Sequence, residues 1–417
     1  MAERFEIARL GGAGDGIADT PTGPVPVAYA LPGETVVAER VGNRYRAVEI
    51  ERASADRAEP FCRHFGRCGG CVFQHLEEKA YTAWKHDKVV TSLARQGLGQ
   101  SVEPLLDGHG EGRRRVVFHL RQVEGDVRAG FMEAGTHRLV PIDHCPITVP
   151  GLRRASEVAE ALGRVLGSAK PIDAAVTASA GGLDVDLRGS GRPSEPKIQA
   201  LIREAQTLDI ARLSIHGEAL VARRAPAIDI GRSLPVPPPG SFLQATKHGE
   251  ESLAAEVLAG AKGARRIADL FSGIGPFALR LAARAEVHAV EGQAAMLAAL
   301  DRAARETDGL RRVTTEVRDL FRRPLLPTEL ERFDLVVLDP PRQGAEAQVK
   351  QIAASALDRV IMVSCDAMTF ARDAMALVAA GFDLQRVVPV DQFKWSAHVE
   401  IVGIFARPPK ARRRGRR

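Results

Sequence analysis

From Arg265 onward the chain repeats one pattern, a short apolar run followed by an alanine-rich amphipathic stretch. The runs are RRIADLF, EVHAVE, VTTEVRD, FDLVVLD and RVIMVSC, and two more, LQRVVPVDQF and HVEIVGIFA, close the pattern. Strands that are apolar along their whole length are buried on both faces, and the helices between them must cover those faces. The alternation therefore specifies an α/β fold, a doubly wound and mostly parallel Rossmann-like sheet. Ligands of such sheets sit outside the carboxyl ends of the strands. The residues that end each run are thus the first candidates for chemistry.

Upstream the pattern changes. Pro235–Gly240, PVPPPG, is a stiff breaker and marks a domain boundary. Before it, residues 150–230 mix helices and strands, and RRRVVFHLRQ and GFMEAGTHRLV read as strands. Leu76, Ala80, Trp84 and Leu93 fall on one face of a helix spanning about Leu76 to Leu98. Phe5 and Ile7, then Val25, Val27 and Tyr29, alternate with other residues between the glycine turns GGAGDG and LPGE. Short alternating strands with such turns suggest a small β-barrel. The expected organisation is a barrel over residues 1–55, a central α+β domain over 56–240, the α/β domain over 241–407 and a tail over 408–417.

The net charge is +6, and the last eleven residues, RPPKARRRGRR, hold seven basic residues and no acid. The rest of the chain is close to neutral, so the excess is a basic tail that attracts polyanions, with RNA or DNA the default partner. Arg113, Arg114 and Arg115 are further candidates for phosphate contacts. No apolar run reaches the ~18 residues of a membrane span. The opening MAERFEIARL is charged at Glu3, Arg4, Glu6 and Arg9, unlike a secretory signal, so a cytoplasmic location is expected. A monomer is expected.

There are five cysteines, and they divide four to one. Cys62, Cys68 and Cys71 cluster in CRHFGRCGGCVFQHL, and Cys145 lies in HCPI. Four thiolates satisfy an iron–sulfur cluster or a tetrahedral zinc. Three close cysteines and a distant one depart from the paired spacing of common zinc fingers. Cys365 stands apart in VSCDAMTF, at the end of a strand and the start of a helical stretch. A helix N-terminus favours a thiolate, which makes Cys365 a candidate nucleophile.

The other strand ends fit a nucleoside cofactor. DLFSGIGPF places Gly273 and Gly275 in the first βα loop, where glycine lets a ligand approach the backbone. The third glycine of a dinucleotide fingerprint is replaced by Ala278, which is tolerated, so the loop alone does not choose between cofactors. Glu291 ends the second strand and suits two ribose hydroxyls. Asp319 ends the third run and is a further candidate cofactor contact, and Asp339 opens the stiff loop DPPR. Glu400 lies on an otherwise apolar strand, where a carboxylate needs a partner or a role.

Taken together, these residues resemble the RNA uracil-C5 methyltransferases, the S-adenosylmethionine-dependent family that makes 5-methyluridine in ribosomal and transfer RNA. The resemblance spans nearly the whole chain. It implies a TRAM-like barrel at LPGE and a 4Fe–4S cluster on Cys62, Cys68, Cys71 and Cys145. It implies that Gln244 of FLQAT, Phe271, Glu291 and Asp339 contact S-adenosylmethionine, that Cys365 is the nucleophile and that Glu400 in HVE is the base. Ribosomal RNA, as for the 23S uracil-C5 enzymes, is the implied substrate, with transfer RNA as the alternative. The chain departs from the family pattern at Ser272, Pro276 and Asp366. Asp366 is expected to cap a helix and, by its charge, to disfavour a nearby thiolate.

Uracil C5 is a poor nucleophile, and a thiolate adding to C6 makes it a good one. A base must then take the C5 proton, and the target base must leave its stack. Two other readings remain open from the residues: an exocyclic-amine nucleobase methyltransferase, which would need neither Cys365 nor Glu400, and a non-catalytic RNA-binding or assembly factor.

Overall fold

A computed structural model describes residues 2–42, 44–167 and 170–408. Of the basic tail expected over 408–417, only Pro408 falls among the described residues.

The C-terminal α/β unit has seven strands of its own: β1 (Arg266–Leu270), β2 (Glu286–Glu291), β3 (Val313–Val317), β4 (Leu335–Leu338), β5 (Arg359–Ser364), β6 (Asp383–Asp391) and β7 (Glu400–Ala406). They lie in the order β3-β2-β1-β4-β5-β7-β6. β1 to β5 are parallel, and β7 enters antiparallel between β5 and β6. The helices Lys247–Gly260 and Ala294–Glu306 cover one face of the sheet, and Glu346–Ala354 and Ala367–Ala379 cover the other. Both faces are thus dry, as the apolar runs require. The strand order reverses between β1 and β4, so a crevice opens at their carboxyl ends.

The central unit is a seven-stranded sheet running from Leu139–Pro141 at one edge to Glu218–Ala222 at the other. The helices Ala155–Leu166 and Glu195–Thr207 pack on it through Leu162, Leu166 and Leu201. The N-terminal unit is a six-stranded sheet over Ala2–Arg52. Its two outermost strands, Ala2–Glu6 and Arg9–Leu10, are consecutive in the chain, so the sheet curls back on itself around Phe5, Ile7, Val27 and Val36.

The central boundary differs from the sequence reading in one respect. The helix Glu78–Ala94 and the strand Leu106–Asp107 lie within the span expected for the central domain, yet they belong to the C-terminal body. Val89 and Leu93 pack with β1, β4 and β5 residues, and Leu106–Asp107 adds to the edge of β6. Their own sequence is too short to show which of two cores will bury them.

The same helix carries Lys85, fully buried, which pairs with the equally buried Asp391 at the end of β6. Tyr81 donates a second hydrogen bond to Asp391 at 2.5 Å, and Lys85 also donates to the Phe393 carbonyl at 3.2 Å. Burial lowers the Lys85 pKa to about 8, although Asp391 works to raise it. Removing one partner of a buried pair leaves the other charge stranded, at a cost of about 3–5 kcal/mol. Asp391→Ala should therefore lower the urea midpoint of the C-terminal unit markedly. Combining it with Lys85→Met should recover part of the loss, and additive losses in that double variant would show that the pair is not coupled.

Candidate active site

The reversal of β7 creates the site. β7 runs against β5, and their register pairs Ser364 with Ile401. Glu400, the first residue of β7, therefore meets Cys365, the residue after β5, at the carboxyl edge of the sheet. Asp339 follows β4 at the same edge, with its backbone N–H on the Leu270 carbonyl at 3.2 Å. Three of the expected catalytic and binding residues thus converge from three strand ends.

Their electrostatics are those of a dry pocket. Burial raises the Glu400 pKa to about 8; Asp339 raises it further, while Gln392 and Arg342 work against the shift. Burial raises Asp339 to about 7, with Gln244 opposing. Burial, Glu400 and Asp339 push the Cys365 thiol up to about 12, and Arg342 opposes them. This corrects the expectation that the helix N-terminus favours a thiolate. The dipole is worth about 0.3–1 kcal/mol at an exposed site, too little to offset burial beside two carboxyl groups. It also relocates the effect expected of Asp366. That side chain caps the helix, accepting from the Met368 and Thr369 N–H groups at 3.0 Å each, and the carboxyls that raise the thiol are Glu400 and Asp339.

A hydrogen-bonded chain joins the two carboxyls. Gln244 Nε2 donates to Asp339 Oδ2 at 3.1 Å. Gln392 Nε2 donates to Gln244 Oε1 at 2.6 Å and to Glu400 Oε1 at 2.9 Å. Arg342 donates to His398 Nε2 at 3.0 Å, and burial followed by the Arg342 charge lowers that imidazole to about 4. Gln392 and His398 were not among the residues picked from the sequence, because neither sits in a spacing with its own meaning.

The glycine loop forms the other half of the crevice. Phe271 has φ 62°, Gly273 has φ 54° and Gly275 has φ 90°. A left-handed phenylalanine is strained, and such strain collects at binding sites. At Gly275 a Cβ would also meet Leu300 at 2.9 Å. Glu291 accepts from the Gly273 N–H at 3.1 Å and the Gln293 N–H at 2.9 Å, which leaves lone pairs on a fixed carboxylate. Among the described residues, the buried Ser272 hydroxyl has no hydrogen-bond partner, and the buried Asp269 carboxylate has no side-chain partner. Asp319 caps the turn after β3 through the Phe321 N–H at 3.0 Å, and the Phe321 ring stands 5.2 Å from that of Phe271. The helix after the loop, Ala278–Leu281, is about one turn long. Arg280 beside it is taken by Glu250 at 2.8 Å. The loop thus lacks the long helix and free arginine that would cradle a pyrophosphate. Strained backbone, orphaned polar atoms and a ribose-type carboxylate fit a nucleoside cofactor.

The remaining four cysteines line one cavity of about 310 Å³, together with Gln74, Arg113 and Arg115. Burial raises Cys71 to about 12 and Cys145 to about 11, and each is raised further by neighbouring thiols of the set. Gly69 lies against the 130s strand, where a Cβ would be 3.0 Å from the Met132 carbonyl. Among the described residues, no group of three or more His, Cys, Asp or Glu side chains is drawn together as a single-ion site. Arg114 does not face solvent as a phosphate contact would: it is buried against Glu250 and donates to the Gln244 carbonyl at 3.0 Å. Among the described residues no helix is long and apolar enough to cross a membrane.

A doubly wound sheet with a nucleoside crevice and a cysteine–carboxylate edge defines a methyltransferase of the S-adenosylmethionine-dependent class. The comparisons with known proteins carry this further. Residues 251–407 match the family model of tRNA (uracil-5-)-methyltransferases. An uncharacterized RNA methyltransferase of Brucella suis is 44% identical over 97% of this chain and 98% of its own. The 23S rRNA (uracil(1939)-C(5))-methyltransferase RlmD of Halomonas elongata is 35% identical, over 98% of this chain and 90% of its own. In fold, the chain is similar to the Pyrococcus abyssi tRNA (uracil-54, C5)-methyltransferase solved with S-adenosyl-L-homocysteine, with a TM-score of 0.75, 21% identity and coverage of 97% and 99%. The chain belongs to the RNA uracil-C5 methyltransferase family.

A hydrogen bond to a charged group contributes about 1.5–3 kcal/mol, and tenfold in affinity is about 1.4 kcal/mol. Glu291→Ala should therefore weaken S-adenosyl-L-homocysteine binding by about 10- to 100-fold in calorimetry. Unchanged affinity would remove Glu291 from the cofactor site.

Proposed function

We propose that this RNA methyltransferase methylates C5 of a uridine in ribosomal RNA through a covalent adduct between Cys365 and uracil C6. The observation that carries this reading is the meeting of Cys365, Glu400 and Asp339 at one buried sheet edge. An exocyclic-amine methyltransferase would have use for the Asp339 loop but none for a thiol beside a raised carboxyl. The Halomonas relative favours ribosomal RNA as the substrate.

The Phe271–Gly275 loop, Glu291 and Gln244, with Asp319 at the rim, would hold S-adenosylmethionine, which when bound would supply an electrophilic methyl group. The Cys365 sulfur bonds to C6, and the C5=C6 electron pair moves to the ring carbonyl as an enolate, which makes C5 nucleophilic. The thiol must give up its proton for that step, and Asp339, raised to about 7, is placed to accept it, which leaves Glu400 ionised for the later C5 proton. Once C5 carries the methyl, Glu400 takes the C5 proton, the C5=C6 bond re-forms and the sulfur leaves as thiolate. Both acid–base roles need a carboxyl with a pKa near the working pH, and burial provides it. The target uridine reaches this edge only when flipped out of its stack.

RNA carrying tritium at uracil C5 tests the chemistry directly. The wild-type chain should release tritium from unmodified ribosomal RNA in the presence of S-adenosylmethionine. Cys365→Ala should abolish both release and denaturant-stable adducts, and Glu400→Gln should accumulate the methylated adduct. Methyl transfer without tritium release would move the reaction to another atom, and release from transfer RNA alone would change the substrate.

We propose that Cys62, Cys68, Cys71 and Cys145, which line one cavity, would hold a 4Fe–4S cluster, with a single zinc as the competing occupant. Tetrahedral Zn–S bonds of about 2.3 Å would draw four sulfurs to within about 3.8 Å of one another, whereas a four-iron cube spreads its thiolates around a larger volume. The TRAM-like reading of the barrel and its grip on flanking RNA belong to the same proposal. Anaerobically purified protein should contain about four irons and four sulfides per chain. Cys71→Ser should lose them along with the visible absorbance, while one bound zinc and no iron would overturn the cluster.

A further inference from the structure

Gln392 is fully buried between the two halves of the site. Its Oε1 accepts from the Ala245 N–H at 2.9 Å, and its Nε2 donates to both Gln244 Oε1 and Glu400 Oε1. The backbone N–H settles which end of the amide is oxygen, since a flipped amide would set donor against donor. That fixes Gln244 in turn: its oxygen is used as an acceptor, so its nitrogen must face Asp339. Glu400 has Oε1 committed to Gln392, and among the described residues none donates to its Oε2. The slot is close on both flanks. A Cβ on Gly249 would lie 2.4 Å from the Gln392 Cβ, and one on Gly108 would lie 3.0 Å from the Gln392 nitrogen. The preceding residue is Asp391, anchored by Tyr81 and Lys85.

We propose that Gln392 is a positioning residue that binds Glu400 and Gln244 into one rigid unit, so that Glu400 offers Oε2 to the C5 proton and adduct breakdown is timely. This rests on the uracil-C5 reading above. Uncommitted, a carboxylate rotates between two equivalent oxygens, and proton transfer is sensitive to small displacements. Among the described residues, the Gln392 side chain hydrogen-bonds with Ala245, Gln244 and Glu400 and not with Cys365 or the glycine loop, so its effect passes through Glu400 and Gln244.

The sign of its electrostatic effect gives a readout that a purely structural residue would not move. The groups facing Glu400 are Asp339 and Arg342 from the loop after β4, Cys365 after β5, and Gln392, with His398 on the same loop bonded to Arg342. Gln392 donates to the ionised carboxylate and so favours it. Losing that bond raises the pH at which Glu400 ionises, and the acid limb of the kcat profile moves up with it.

The test uses the full-length protein and C5-tritiated ribosomal RNA, with transfer RNA in parallel. Gln392→Met, close in volume and without the amide, should lower kcat by about 10- to 100-fold, move the acid limb to higher pH and accumulate the methylated adduct. Gln392→Glu keeps an acceptor for the Ala245 N–H and should move the limb the same way, so it serves should the methionine variant fail to fold. A folded variant with the wild-type limb and no adduct accumulation overturns the inference alone. No tritium release by wild type from either RNA overturns the uracil-C5 reading, and the inference falls with it.

Discussion

Asp391 is the point on which the parts of the chain depend. It ends β6, and its carboxylate, almost wholly out of solvent, is held by Lys85 and Tyr81 of a helix more than three hundred residues away in sequence. A buried charge pair is a weak source of net stability, because desolvation offsets most of the attraction. What it supplies is a demand for register: only one placement of the helix satisfies both charges. That placement sets the loop from Gln392 to Val399, and the loop delivers Glu400 to the start of β7.

The antiparallel entry of β7 does the rest. In an all-parallel sheet the start of a strand lies at the edge opposite the ligand crevice. Reversing one strand brings a strand start to the catalytic edge, where its first residue faces the ends of β4 and β5. Three titratable groups then share a largely desolvated pocket, in which Asp339 raises the pKa of Glu400 and both carboxyls raise that of Cys365. The arrangement is costly for static ionisation and well suited to proton exchange. Two carboxyls that titrate near neutrality can accept and return protons at the working pH, which suits one to serve beside a thiol and the other beside a carbon acid.

The sequence was most legible where a local pattern had a single physical meaning. Apolar runs buried on both faces led to the doubly wound sheet. Strand ends led to Cys365, Asp339 and Glu400, and the glycine loop to the crevice around Phe271 and Glu291. It was least legible where long-range packing decides. Arg114 sits in a basic triplet and reads as a phosphate contact, but Glu250 from a distant helix takes it into the interior. The helix Glu78–Ala94 has no pattern that distinguishes one core from another. Gln392 is one polar residue in a strand-end loop, and only the folded chain shows that its amide serves two side chains from different elements. The thiol was misjudged for a related reason. A helix N-terminus is visible in sequence, whereas burial beside two carboxyls is not.

The same loop also connects the cysteine segment to the catalytic edge. The Val72 and Phe73 N–H groups donate to the Trp395 carbonyl at 2.8 and 3.2 Å, directly after Cys71. Trp395 holds a left-handed backbone, φ 60°, and its ring stands between those of Phe61 and His109. Its own N–H donates to Tyr81 Oη, the hydroxyl that also holds Asp391. A non-glycine residue keeps such a conformation only where its surroundings over-determine it, and here they do so from the cysteine segment, from the long helix and from the segment after the Leu106–Asp107 strand. The order of the cysteine segment is therefore a mechanical input to the position of Gln392, His398 and Glu400. Two backbone hydrogen bonds and the ring contacts of Trp395 make that connection.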